Sequence, residues 1–181
     1  MKTDLSKFNN KWYKPGRNAL VRMLWMCTSA TWVNSWWPFS GCKKFCLRLF
    51  GAKIGKHVII KPHVNIKYPW RLKIADHVWI GENVWIDNLE EIVIENNVCI
   101  SQGAFLLCGN HNYKKESFDL LTGSITIKEG EWVGAKSTIC PGVVVASHSV
   151  ISVNSVVSEN TEAYFIYRGN PATKIKERKI S

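Results

Sequence analysis

Negative charge is almost missing from the first 73 residues of this 181-residue sequence. They contain fifteen Lys and Arg residues but only one acidic residue, Asp4. Residues 74–167 reverse the balance with four basic and twelve acidic residues, and the last fourteen residues are basic again. The formal net charge of +10 is therefore distributed as basic ends around an acidic middle, which favours anionic partners for the ends.

The sequence also lacks the cysteine patterns of a zinc finger or a disulfide framework. Its six cysteines form no CxxC pair, which is typical of reduced, mostly buried thiols in a cytoplasmic protein. The first seventeen residues lack the apolar segment and the small-residue cleavage site of a signal peptide. With 46% hydrophobic and 21% charged residues, we expect one globular cytoplasmic domain with a sizeable core.

No stretch of the sequence is apolar for long enough to be a comfortable membrane span. The most apolar one, residues 19–39, contains Arg22, Asn34 and several hydroxyl groups. Five of the nine tryptophans nevertheless lie before residue 40, beside the excess of Lys and Arg. Two interpretations stay open: peripheral membrane contact through residues 1–50 at the inner face of the membrane, or a helical arm packed on the protein or a neighbouring subunit.

Aliphatic residues recur at intervals of six from residue 54 to residue 157, apart from two intervals of eight and one of twenty-one. A helix would need apolar residues at intervals of three and four, so this period predicts one short strand and one corner per repeat. Val84 and Ile86, for example, would point inward from the same strand. The corners predict glycine or asparagine with positive φ, at Gly55, Gly81, Asn83, Asn97, Gly130 and Asn154.

Repeats of the form aliphatic, small or acidic, any, any, small, any extend from Ile54 to Asn160 and resemble the hexapeptide-repeat acyltransferases. The segments "LRLFGAKIG" and "WIDNLEEIVIENNVCISQGAFLLCGNHNY" are similar to colanic-acid-type acetyltransferases of exopolysaccharide synthesis, and "YRGNPATKIKERK" is similar to sugar O-acetyltransferases. The resemblance implies a mainly β fold, a left-handed parallel β-helix at residues 53–162. An N-terminal arm with helices would occupy residues 1–52, and a C-terminal basic tail residues 163–181.

One interval in the repeat is twenty-one residues long, from Leu106 to Ile127. This is the length of one coil of eighteen residues plus three. Because residues 107–126 lack the inward pattern, we expect them to leave the β-helix as a projecting loop. The loop contains His111, and an imidazole suits a general base because it titrates near neutrality. From the residues alone, His111 is an ordinary turn histidine between two asparagines. Its place in "GNHN" matches the catalytic histidine of the family, which implies that it deprotonates an acceptor hydroxyl.

Several further residues are candidates for binding the acceptor sugar. Asp87 and Asn88 offer carboxylate and amide groups to sugar hydroxyls, although Asp87 also fits a purely structural position of the repeat. Trp85 and Tyr113 have aromatic rings that would stack on a sugar face. We predict these four residues as the substrate-binding set.

The resemblance also implies a set of residues that bind acetyl-CoA. Trp132, Ala135 and Val153 fall where the sugar acetyltransferases hold the pantetheine arm between two subunits, which implies a homotrimer. Basic residues of the tail would meet the phosphates, with Arg168, Lys174 and Lys176 as the main candidates. Glu131 departs from the pattern, because it occupies an inward position where an unpaired carboxylate is costly.

The predicted function is acetyl-CoA-dependent O-acetyl transfer to a sugar hydroxyl of an exopolysaccharide precursor, in lipid-linked or nucleotide-linked form. Serine or an antibiotic as acceptor, and a non-catalytic β-helix scaffold, stay open as alternatives. We expect no metal, because Glu116 stands where the zinc carbonic anhydrases of this fold have a second histidine. We expect no nucleic-acid partner, since the aromatic residues are not interleaved with a basic groove.

Overall fold

A computed structural model describes residues 2–180, of which residues 2–52 form an arm and two helices. The arm contains one short 3-10 turn, Leu5–Lys7. Helix α1 (Ala19–Thr28) begins where the Asn18 side chain accepts a hydrogen bond from the Val21 N–H at 3.0 Å, and a π-helical turn follows at Ser29–Val33. Helix α2 spans Ser40–Leu49. Among residues 2–180, no helix is long and apolar enough to cross a membrane.

Short strands make up the rest of the chain. Those before the loop are β1 (Lys53–Ile54), β2 (Ile59–Ile60), β3 (Asn65–Ile66), β4 (Leu72–Ile74), β5 (Trp79–Ile80), β6 (Trp85–Asp87), β7 (Ile92–Ile94), β8 (Cys99–Ile100) and β9 (Phe105–Leu107). Those in and after the loop are β10 (Gly109–His111), β11 (Leu120–Thr122), β12 (Ile125–Ile127), β13 (Trp132–Val133), β14 (Thr138–Ile139), β15 (Val144–Val145), β16 (Val150–Ile151), β17 (Val156–Val157), β18 (Phe165–Gly169) and β19 (Ala172–Glu177).

Consecutive strands of the coil enter three different sheets in turn. The first sheet has the order β1-β4-β7-β12-β15, the second β2-β5-β8-β13-β16-β18-β19 and the third β3-β6-β9-β14-β17. Pairing within the sheets is parallel, except between β18 and β19. The chain therefore winds as a parallel β-helix with three faces, which confirms the predicted fold class.

The aliphatic residues of the repeat fill the interior of this β-helix. Ile60, Ile80, Ile100 and Val133 are fully or almost fully buried and stack above one another along the second sheet. Their pairing also gives the length of each coil. Ile60 pairs with Ile80, twenty residues later, whereas Val133 pairs with Ile151, eighteen residues later.

Residues with positive φ occupy the corners of the coil, as the repeat predicts for Asn83, Asn97, Gly130 and Asn154. The same prediction was wrong for Gly55 and Gly81, which are absent from the positive-φ residues. A Cβ on Gly81 would lie 2.7 Å from the Gln102 nitrogen of the next coil, and one on Gly55 would clash with Ala75 in the same way. Glycine is required there for close approach between coils and not for its backbone conformation.

Every departure from the six-residue spacing lies at one corner, which we name the insert corner. It connects the third sheet to the first sheet at residues 67–71, 88–91 and 108–124. Ile94 pairs directly with Ile127, and Leu106 pairs with Ile139, so the long interval contains no additional coil. The twenty-one residues from Leu106 to Ile127 therefore do not wind as a coil of their own. The extra residues leave at the corner, and β10 and β11 form an antiparallel hairpin there.

The two ends of the β-helix are both covered. At the N-terminal end, Trp25 donates hydrogen bonds from its indole nitrogen to the carbonyls of Ile66 and Lys67, and Val33 and Leu47 are fully buried. At the C-terminal end, β18 extends the second sheet in parallel and β19 folds back on it. The region expected as a tail at residues 163–181 is therefore largely an ordered hairpin.

Candidate active site

The hairpin at the insert corner holds His111 at the end of β10. His111 pairs with Leu120 across the hairpin, and its side chain is half-buried. The imidazole lies flat on the Phe118 ring, with a centroid separation of 4.5 Å and an angle of 7° between the planes. The orientation of the histidine ring is therefore fixed by the backbone pairing with Leu120 and by the stacking on Phe118.

A single hydrogen bond defines the role of each ring nitrogen of His111. Its Nδ1 lies 3.0 Å from the carbonyl oxygen of Phe118, and a carbonyl oxygen only accepts hydrogen bonds. Nδ1 therefore carries the hydrogen, and the neutral ring has its free electron pair on Nε2. Phe118 has a φ of +51°, a backbone conformation that bulky residues rarely adopt.

The N-terminal arm packs across the hairpin and contacts His111. The Phe8 ring centroid lies 5.8 Å from that of His111. Two further contacts anchor the arm: Lys7 forms an ion pair with Glu116 at 2.8 Å, and the Asp4 N–H donates to the Glu116 carbonyl at 2.9 Å. The sequence contains no local pattern that predicts this contact between residue 8 and residue 111.

A cleft of about 460 Å³ lies between the arm and the insert corner, beside the hairpin. It is lined by Phe8, Asn10, Tyr13, Pro15, Lys67, Tyr68, Leu89 and Leu120. The Tyr13 hydroxyl donates to the Leu89 carbonyl at 2.8 Å and accepts from Arg71 at 3.1 Å. Burial raises the pKa of Tyr13 above its ordinary value, so this hydroxyl stays neutral. These lining residues were not among the predicted site residues.

Asp87 and Asn88 lie at the insert corner but have different environments. Asp87 is largely buried, and its carboxylate forms an ion pair with Lys67 at 2.8 Å. Asn88 is fully buried, and its amide accepts from the Tyr68 N–H and donates to the Tyr68 carbonyl. Both ends of the Asn88 amide thus bond to Tyr68 at the corner, and the side chain has no exposed surface for the substrate contact that we predicted.

The two aromatic candidates lie outside the cleft beside His111. Trp85 faces outward from the third sheet and stacks on Phe105 at 4.9 Å. Tyr113 is 75% exposed and lies by Lys2 and Thr3 at the tip of the loop. Neither ring is therefore part of the lining of the cleft beside His111.

Trp132, Ala135 and Val153 line one groove of about 370 Å³, as the resemblance implies. The groove follows the corner after the second sheet, and the Trp132 indole donates to Ser101 at 2.9 Å. A second groove, lined among others by Trp79 and Glu82, shares Ser101 and Gln102 with it. The two grooves form a continuous path along the outside of the coils.

The predicted phosphate-binding residues lie on the C-terminal hairpin, and none of them is among the residues that line that groove. Lys174 forms an ion pair with Glu162 at 2.7 Å and lies over the Phe165 ring, and the hydrogen bond with Glu162 raises its pKa. Arg168 is exposed, and Lys176 lines a basic cleft with Arg178 and Lys179. Lys174 thus has an acidic partner that the charge count of the tail did not predict.

Glu131 is buried inside the β-helix with one partner. Ser149 donates a hydrogen bond to one carboxylate oxygen, and the other oxygen has no hydrogen-bond partner among the described residues. Burial raises the pKa of Glu131 to about 8. The carboxyl group therefore has a partner, as the sequence requires, but it is only half satisfied.

Within residues 2–180, no cluster of three His, Cys, Asp or Glu side chains is arranged to hold a metal ion. The insert corner offers side chains of three chemical kinds. His111 offers an electron pair, Asp87 offers a carboxylate, and Lys67 and Arg71 offer positive charge beside the cleft.

Comparison with known proteins gives a consistent result, although no protein-family model matches the chain. The chain is 38% identical over 177 residues to the "Putative colanic acid biosynthesis acetyltransferase WcaF" of Escherichia coli (strain K12), which covers 97% of both chains. Among solved structures, an acetyl-CoA complex of a hexapeptide-repeat acetyltransferase from Vibrio cholerae has a TM-score of 0.80 at 20% identity, over 89% of this chain and 88% of that one. A galactoside acetyltransferase in complex with coenzyme A has a TM-score of 0.78 at 20% identity, over 88% of this chain and 82% of that one. By its repeats, its coil and its full-length similarity to a relative, the chain belongs to the hexapeptide-repeat acetyltransferases.

Proposed function

We propose that this protein transfers an acetyl group from acetyl-CoA to a hydroxyl group of a sugar, with His111 as the general base. The acceptor is a precursor of a surface polysaccharide, in nucleotide-linked or lipid-linked form. The reaction takes place in the cytoplasm. The names of the relatives support the reaction type, since they include acetyltransferases of colanic acid and of galactosides.

The orientation of His111 is the observation that carries the proposal. Because Nδ1 donates to the Phe118 carbonyl, Nε2 is free to accept a proton from an acceptor hydroxyl. The alcohol oxygen forms a bond to the thioester carbonyl carbon as its proton moves to Nε2. The carbon–sulfur bond then breaks, and the imidazolium returns the proton to the thiolate of CoA. The step needs no covalent enzyme intermediate.

We further propose that the pantetheine arm lies in the groove lined by Trp132, Ala135 and Val153, and that the active unit is a trimer. Ala135 has only a methyl group, which leaves the neighbouring backbone accessible to an extended thioester chain. Lys176 and Arg168, which have no acidic partner within salt-bridge distance among residues 2–180, are the candidates for the phosphates. Light scattering of the purified protein should give the mass of three chains.

Release of CoA thiol in the presence of candidate acceptors tests the proposed activity. The panel contains nucleotide sugars and lipid-linked saccharides, with serine and chloramphenicol as non-sugar acceptors. We expect thiol release with a saccharide only. Release with serine or chloramphenicol alone would favour the alternative acceptor class, and no release with any acceptor would favour a scaffold.

The matched variants are His111→Asn and His57→Asn. Asn lacks a basic nitrogen, so His111→Asn should lower kcat by about 10²- to 10⁴-fold, the usual contribution of a general base. His57 is an exposed corner residue with a φ of +53°, which Asn tolerates well, so the control should keep its activity and its melting temperature. Equal kcat values in the two variants would contradict the role of His111.

A further inference from the structure

The helical cap at the N-terminal end of the β-helix has an apolar outer surface. Its inner side packs on the first coil through Trp25, Val33 and Leu47. The outer side carries exposed large apolar residues that we name the cap surface: Leu20, Met23, Leu24, Met26, Trp32, Trp36, Trp37, Phe39, Phe45 and Leu49. Terminal caps of repeat proteins need a polar outer face for solubility, so an apolar one indicates that another surface covers it.

The aromatic part of the cap surface is continuous. Trp37 contacts Trp32, Trp36 and Phe39, with ring centroids 5.6 to 5.7 Å apart. These rings contact one another and yet stay open to solvent, since Trp36 is 69% exposed. On α2, Phe45 and Leu49 are four residues apart and share one exposed helix face.

The charge around the cap surface is of one sign. Asp4 is the only acidic residue before Asp76 in the sequence. Arg17, Arg22 and Lys44 lie within or beside the cap, and in the part of the chain that the structure describes no acidic side chain is within salt-bridge distance of them. Two copies that met through this surface would bring like charges together, because a two-fold interface pairs a patch with itself. Tryptophan, phenylalanine and basic residues without acids instead complement anionic headgroups above hydrocarbon.

The helices are too short to cross a bilayer. Each has ten residues, or about 15 Å at 1.5 Å per residue, against a hydrocarbon core of about 30 Å. The tryptophan cluster also lies at the N-terminal end of the β-helix, and it is not part of a long apolar helix. These dimensions suit a surface that lies on the membrane with its rings at the headgroup level.

We propose that the cap surface docks this protein onto a bilayer that contains anionic lipids. The Trp and Phe rings enter the interfacial region, and the nearby Arg and Lys side chains lie at the phosphates. This inference goes beyond the proposed acetyl transfer and is tested by binding alone, so either proposal can fail without the other. If both hold, the end of the β-helix brings the insert corner within reach of lipid-linked acceptors.

Flotation of the full-length protein with vesicles tests the proposal. One set of vesicles contains phosphatidylcholine alone, and the other equal parts of phosphatidylcholine and phosphatidylglycerol. The test variant is Trp36→Ser/Phe45→Ser, and the matched control is Tyr164→Ser/Ile175→Ser, which removes two exposed apolar side chains at the C-terminal end of the β-helix. We expect the protein to float with the anionic vesicles and less with phosphatidylcholine or at high salt.

The test variant should bind the anionic vesicles at least about tenfold more weakly, and the control should bind like the original protein. Both should unfold at the original temperature, because all four side chains are exposed. Absence of flotation for the original protein, or equal binding by the test variant, would overturn the proposal. So would light scattering that shows a smaller assembly for the test variant alone, because the cap surface would then join copies of the chain.

Discussion

The insert corner and the other two corners of the coil are built from the same repeats, but they serve different purposes. At the regular corners the chain advances by six residues each time, and glycines such as Gly81 and Gly134 allow neighbouring coils to approach closely. At the insert corner the chain adds residues three times, and the third addition carries His111. The regular corners thus supply stiffness, and the irregular one exposes reactive groups without disturbing the interior.

The interior of the last coils also differs from that of the first coils. Val58, Val78 and Val98 occupy the inward position before the second sheet, whereas Glu131 and Ser149 follow them in the same column. Glu131 lowers the stability of the fold relative to a valine, because one oxygen of its buried carboxyl group has no hydrogen-bond partner among the described residues. This difference between coils is the basis of the prediction with the largest effect on stability.

Glu131→Gln should stabilise the protein increasingly as the pH rises. The pKa of Glu131 is raised from 4.5 to about 8 in the folded state, so the folded protein binds more protons than the unfolded chain between these values. Its contribution to stability is present in full below pH 4.5 and falls by up to about 1.4 kcal/mol per pH unit until pH 8. Glutamine has no such proton to lose.

Melting temperatures measured from pH 5 to pH 9 check this prediction. The difference in melting temperature between Glu131→Gln and the original protein should increase up to about pH 8 and then stay constant. Glu159→Gln is the control, because Glu159 is exposed and makes no salt bridge. A gap that does not change with pH would show that the Glu131 carboxyl does not titrate on unfolding.

Gly134→Ala tests the close approach at the regular corners. A Cβ at this position would lie 2.5 Å from the Ile151 carbonyl oxygen and 2.7 Å from the Val153 nitrogen, and backbone atoms cannot move aside cheaply. We expect a loss of about 1 to 3 kcal/mol in the free energy of unfolding, measured by urea titration. Because Val153 lines the proposed cofactor groove, the KM for acetyl-CoA should rise as well.

Asn88→Ala tests whether the insert corner needs its own internal support. The variant leaves the Tyr68 N–H and carbonyl without the partners that Asn88 supplies at a fully buried position. We expect a loss of about 1 to 3 kcal/mol in the free energy of unfolding. An unchanged urea midpoint would show that water replaces the amide, and the corner would then be looser than its contacts indicate.

Gly41→Ala should have the smallest effect, and the opposite sign. No atom lies within 4 Å of a Cβ at this position, which is in the first turn of α2. Alanine favours helix over glycine by up to about 1 kcal/mol, so the free energy of unfolding should rise by no more than that. A loss of stability would mean that the exposed side of α2 is less open than the structure indicates.

The sequence predicted the coil well because its information is periodic. Each inward residue, such as Ile86 or Ile139, indicates the position of one strand. The regular spacing of these residues predicts that the repeats stack on one another. The loop around His111 was predicted because it breaks that spacing. Its internal geometry was not predicted in full, since a hairpin at one corner and an additional coil give the same interruption in the repeat.

Contacts between irregular segments could not be predicted from the period. The packing of Phe8 on His111, the anchoring of Lys7 to Glu116 and the pairing of Lys174 with Glu162 depend on where non-repeating chain folds back. The placement of Asn88 shows the same limit: its amide looked available for a sugar, but the neighbouring turn uses both of its ends. Local sequence gives the residue type at such positions and not its partner.

The strand β19 ends the second sheet, so its outer edge has unpaired backbone groups. Exposed edges of this kind invite strands from other molecules to add on, which leads to aggregation. Lys174, Lys176 and Glu177 place charges along this strand, and charged side chains hinder such strand addition. The basic residues first assigned to phosphate binding therefore also help to keep this solenoid from growing into fibrils.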